Sequence, residues 1–159
     1  MASLTLRVPP PTVRAAVHAR LYAGALARKG PIRWTDAGDD LVLHPDTLRL
    51  EFAAGWMLAT VEAECDQTGR VPIKLPFRLG TAERTAGNRV ATTLDVPGDA
   101  GLLARWGRPL HTAIWDGVLD ALQLAVDAAA HDRGYWMVTG VSASEAGVQA
   151  TLAAAEVSR

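Results

Sequence analysis

WMLATVEAECDQTGRVPIKLPFRL, residues 56–79, decides the fold. Met57, Ala59, Val61, Ala63 and Cys65 alternate with Trp56, Leu58, Thr60, Glu62 and Glu64. A period of two sends one set to each side of a strand. Asp66-Gln67-Thr68-Gly69 consists of turn formers. Beyond it Val71, Ile73, Leu75, Phe77 and Leu79 make a second apolar face against Pro72, Lys74, Pro76 and Arg78. Two strands joined by a short turn predict an antiparallel hairpin. The two prolines, which have no N–H to donate, predict an edge strand or one whose N–H positions face outward.

The alternation extends in both directions, over residues 41–96. Upstream, Leu48, Leu50 and Phe52 alternate with Thr47, Arg49 and Glu51, and Gly55 allows a tight reversal. Downstream, Gly87-Asn88 marks a turn before Val90, Thr92 and Leu94. Ahead of this meander, Leu4, Leu6 and Val8 predict a short strand ended by Pro9-Pro10-Pro11. Thr12 can cap a helix over 12–29, with Val13, Val17 and Leu21 on one face and Gly30-Pro31 as its stop. After Pro97-Gly98, Asp99 can cap a short turn holding Leu102, Leu103 and Trp106, and Pro109 suits the first position of a helix.

That helix, 109–132, is the most strongly patterned element. Asp116, Asp120, Gln123, Asp127 and His131 form a polar stripe. Ile114, Trp115, Val118, Leu119, Leu122, Ala125, Val126 and Ala129 form an apolar face wide enough to lie across a sheet. Gly134 ends it. Tyr135–Ser144 reads extended, Glu145-Ala146-Gly147 turns, and Val148, Ala150, Leu152 and Ala154 alternate. The predicted order is β-α-β-β-β-β-β-α-β-β. It describes one α+β domain over 1–159: a curled, mostly antiparallel sheet packed on one long amphipathic helix, plus an N-terminal helix. No repeat of 20 to 50 residues and no linker divides it.

The 159 residues suffice for one domain with a real core, and 49% apolar content excludes intrinsic disorder. A net charge of -1 argues against a nucleic-acid binder that works by whole-surface attraction. The balance hides a polarity. Arg7, Arg14, Arg20, Arg28, Lys29 and Arg33 give residues 1–35 a charge of +6 with no acid, leaving -7 for the rest. The basic first helix therefore docks on the acidic remainder, or offers Arg14, His18, Arg28 and Lys29 to an anionic partner. Cys65 is the single cysteine, so no internal disulfide forms. Neither a signal-peptide-like N-terminus nor a run of ~18 apolar residues is present. The expectation is a cytoplasmic protein without an integral membrane segment.

Motifs that announce chemistry are missing. There is no G-x-S-x-G, G-x-G-x-x-G or G-x-x-x-x-G-K-[ST]. His44-Pro45-Asp46 and His131-Asp132 lack the i, i+4 spacing of a helical metal site. Asp36-Ala37-Gly38-Asp39-Asp40 lacks calcium-loop spacing and reads as a solvated turn. No metal or cofactor is expected. Should the chain be a small cyclase- or isomerase-like enzyme, His111, Asp116 and Tyr135 are the acid–base candidates.

Five tryptophans against two Phe and two Tyr is an unusual ratio. Trp34, Trp56, Trp106, Trp115 and Trp136 either plug the core beneath the helix or line a cavity or an oligomer surface, where an indole N–H finds a partner. A curled sheet on one helix can leave an apolar gap between them. The run from Val138 through Gly140, Val141, Glu145, Gly147 and Val148 to Leu152, with the Gly69–Leu75 strand and the helix between, resembles bacterial tubular lipid-binding (TULIP-type) domains. The resemblance runs from about residue 70 to the C-terminus and implies an apolar ligand held between sheet and helix; it assigns no site residues. Three functions follow. The first is a non-catalytic binding module for an apolar small molecule, lipid or protein partner. The second is an assembly subunit forming homo- or hetero-oligomers, and the third is the small enzyme.

Overall fold

The computed structural model describes residues 3–81, 100–129 and 135–154. The chain runs β1 (Ser3–Val8), α1 (Pro10–Leu21), β2 (Ile32–Asp36), β3 (Asp39–Ala53), β4 (Trp56–Cys65), β5 (Gly69–Arg78), α2 (Ala100–Ala129), β6 (Trp136–Ser144) and β7 (Gly147–Ala154). The α+β class and the long helix are as predicted. The expected strand around Val90–Leu94 lies outside the described residues.

Every strand pairs antiparallel with its neighbours in two sheets, ordered β2-β3-β4-β5 and β1-β7-β6. The sequence suggested one curled sheet; here two sheets meet at a corner. The Gly80 N–H donates to the Val141 carbonyl (3.3 Å) and the Ala143 N–H donates to the Gly80 carbonyl (3.0 Å). These two bonds flank Ser142 in the pattern of a parallel bridge. Gly55 braces the corner, donating to Ala143 (2.9 Å) and accepting from Leu79 (2.7 Å). Among the described residues β5 has no strand partner besides β4, which agrees with its two prolines.

Ile32–Asp36 pairs with the start of β3 through the two-residue loop Ala37-Gly38. Both loop residues take positive φ (50° and 86°), as a primed hairpin turn demands, and glycine meets that demand without strain. This strand adds to the meander ahead of residue 41, where the alternation was read to begin.

The α1 helix departs from its predicted bounds at both ends. Pro9, not Thr12, caps it, its carbonyl accepting the N–H groups of Thr12 (3.0 Å) and Val13 (3.2 Å), because proline at the first positions loses only N–H groups that have no helical partner. It ends at Leu21 rather than 29. The following segment is held by Asp46, which accepts from the Gly30 N–H (2.7 Å) and the Tyr22 hydroxyl (3.3 Å) and lies 2.8 Å from His18 Nε2. Asp46 sits in a β3 bulge between His44 and Arg49. There the Thr47 hydroxyl patches the ladder, donating to the His44 carbonyl and accepting from the Glu62 N–H.

The second correction concerns α2, which begins at Ala100, so Pro109 lies inside it. Proline removes one helical hydrogen bond. Leu102, Leu103, Trp106, Leu110, Ile114 and Val118 are nevertheless all buried along one face through it. That face packs with Val13, Val17 and Leu21 of α1 and with the inner faces of both sheets in one core. The two helices touch at Gly117, where a Cβ would stand 2.5 Å from Val17 Cα.

Candidate functional site

The C-terminal half of α2 faces β6 across a groove of about 340 Å³. Trp115, Leu119, Leu122, Gln123 and Val126 line it from the helix, and Val138 and Val141 from the strand. The helix contributes through its period of 3.6, which brings 115, 119, 122 and 126 to one stripe. On β6, Trp136 and Val138 share the sheltered side while Met137 and Thr139 are exposed. The corner explains the opening. Among the described residues, β5 and β6 are joined at Gly80 alone, so the α2 stripe is left uncovered by strand upstream of that point.

Beside the groove an aromatic stack ties α2 to β5. His111 lies flat on Phe77 (centroids 4.6 Å apart, 12° between planes), and Trp115 lies 6.5 Å from Phe77. The His111 Nε2 is buried with no hydrogen-bond partner among the described residues, and burial lowers its pKa below the ordinary imidazole value. The ring is therefore neutral at pH 7. Trp136 Nε1 and His44 Nε2 are likewise buried and unpartnered there.

The acid–base candidates do not converge. His111 faces Phe77. Asp116 lines a different, shallow cleft with Arg20, Trp34 and Arg108 between α1, β2 and α2. Tyr135 is exposed ahead of β6. The tryptophans also disperse. Trp106 is buried under the Arg105 guanidinium, which lies 4.6 Å from its ring centroid. Trp34 packs against the core edge. Trp56 is exposed, with Arg78 5.6 Å over its ring. Trp115 alone of the five lines the groove.

Two of the six N-terminal cations, Arg20 and Arg33, are met by acids within the fold. The Arg20 guanidinium donates to both Asp120 oxygens (2.6 and 2.8 Å), and this pairing raises its pKa. Arg14 donates to the Leu48 carbonyl (3.0 Å). Arg33 reaches Asp40, and from the far side Arg105 of α2 reaches Asp36 and Asp39. Arg28 and Lys29 stay exposed, with no ion pair among the described residues. The described residues hold no group of three metal-ligating side chains, and no described helix is long and apolar enough to cross a membrane.

Periodicity marked Trp115, Leu119, Leu122 and Val126 as an apolar face; it carried no sign that part of the face would stay open. That depends on the Gly80–Ser142 junction, between residues far apart in sequence. Comparison with family models, curated proteins and solved structures found no match.

Proposed function

We propose that the chain is a non-catalytic binding module that holds an apolar small molecule in the groove between α2 and β6. One observation carries this reading: six of the seven described lining side chains are apolar in a recess of about 340 Å³, within the size range of small-molecule sites. The dispersal of His111, Asp116 and Tyr135 favours binding over catalysis, since acid–base chemistry needs its groups within reach of one reacting atom. The resemblance of the chain to TULIP-type domains points the same way.

Nile red, a neutral apolar dye, tests it. The dye is expected to bind with a fluorescence gain, and Leu119→Glu to weaken binding at least about tenfold, because a carboxylate at the wall must then be desolvated. Leu119 is 42% exposed, so the variant is expected to fold. No binding, or equal binding by Leu119→Glu, would overturn the proposal.

A second reading, self-assembly, is favoured by the β6 margin. Tyr135 and Met137 are 77% and 58% exposed beside a strand whose outer side has no strand partner upstream of the corner among the described residues. Such edges pair readily. Light scattering that gives a monomer at high concentration would exclude it.

A further inference from the structure

We infer that the occupant of the α2/β6 groove is an amphiphile with a short alkyl tail and an ammonium head, and that Asp127 meets the head. The inference rests on the proposed reading of the groove as an apolar-ligand site and adds the chemistry of the ligand's polar end. The tail side follows from Leu119, Leu122, Val126 and Val138, which offer no hydrogen-bonding side chain.

The head side follows from the rim. Gln123 is the one polar side chain among the described lining residues, and its amide donates to Asp127 Oδ1 at 2.7 Å. Both residues are exposed, and that bond leaves the Gln123 carbonyl oxygen and the second Asp127 oxygen without a hydrogen bond among the described residues. Both are acceptors. Asp127 is exposed, and among the described residues no cation pairs with it, whereas Asp120, two turns earlier, is neutralised by Arg20. Among the described residues the lining holds no Lys, Arg or His. A carboxylate head would therefore set anion beside anion. A hydroxyl could donate one bond. An ammonium donates up to three and brings the complementary charge.

Calorimetric titration of the full chain with octylamine, octan-1-ol and sodium octanoate at neutral pH separates the possibilities. The three share a tail and carry a cationic, neutral and anionic head. Octylamine is expected to bind about threefold to tenfold more tightly than octanol, the effect of one partly solvated ion pair with hydrogen bonds, and octanoate most weakly. Asp127→Asn should bring octylamine to the octanol level and leave octanol unchanged. Glu51→Gln, which removes an exposed acid on β3, should leave the preference intact and so exclude a bulk charge effect. Octanol binding without preference for the amine, a preference that survives Asp127→Asn, or one lost equally in Glu51→Gln overturns the inference and leaves the groove reading standing. Failure of all three ligands to bind overturns the groove reading and the inference with it.

Discussion

Gly117 decides how closely the two helices approach. The atoms that a Cβ would meet there are the backbone N and Cα of Val17, at 3.1 and 2.5 Å, together with its Cγ2 at 3.0 Å. A flexible side chain could move aside; backbone cannot. Gly117→Ala should therefore push α1 off α2 and lower stability by about 1–3 kcal/mol in urea denaturation, even though alanine is the better helix former. Gly101 is the internal comparison. It lies in the same helix with no atom of the described residues within 4 Å of a Cβ built there, and Gly101→Ala should stabilise by about 0.5–1 kcal/mol. Equal effects at the two positions would refute the close approach. Nothing in the local sequence distinguishes them, because the difference belongs to the partner helix. His111 makes the same point from the polar side: its helix turn with Trp115 was legible, but only the position of Phe77 shows that its ring is stacked and neutral.

The elements show where local preference yields to tertiary contact. Ala25-Leu26-Ala27-Arg28-Lys29 is good helix sequence, yet α1 stops at Leu21. The Asp46 carboxylate ties Tyr22 and Gly30 to the β3 bulge instead. The contact with His18, then the Gly30 N–H, hold the Asp46 carboxyl below the usual carboxylate range. A depressed carboxylate pKa stabilises the fold above the unfolded value of about 4, and this contribution is lost as pH falls through the folded value. Asp46→Asn should thus be less stable than the parent at pH 7, with the gap narrowing steadily below about pH 4. Urea midpoints measured across that range check it; a gap independent of pH would remove the ionised carboxylate from the explanation. The other misread boundary has a different cause. Pro109 looks like a helix start, but buried apolar side chains continue on both sides of it. Each is worth about 1.5–3 kcal/mol, so together they outweigh a proline costing about 3. The strands were the most legible elements, since the alternation from Trp56 to Arg78 reappears as β4 and β5 and places Met57, Ala59, Ile73, Leu75 and Phe77 in the core, with the buried Thr60 as its exception.

At the scale of the whole molecule, the charge polarity of the sequence is closed only in part within the fold: of the six N-terminal cations, Arg20 meets Asp120 and Arg33 meets Asp40, while Arg105 of α2 separately holds the β2–β3 turn. The seam is the feature that sequence could not locate. It exists because β5 turns away from further pairing through Pro72 and Pro76, while β6 rejoins it at Gly80 alone among the described residues. Amide hydrogen exchange reads this directly, since local opening follows how many neighbours hold a strand. Here β4 lies between β3 and β5, and β7 between β1 and β6, so both should exchange only through global unfolding. The first half of β6, residues 136–139, is held by β7 on one side and should exchange orders of magnitude faster than its own second half, which is bonded to Gly80 as well. Saturating octylamine should then slow exchange at Val138 to Val141 and along α2 from Trp115 to Val126, with α1 and β2 unchanged. Uniform exchange along β6 would show that the seam is closed in solution, and protection spread evenly over the molecule would mean that the ligand stabilises the fold without occupying the groove.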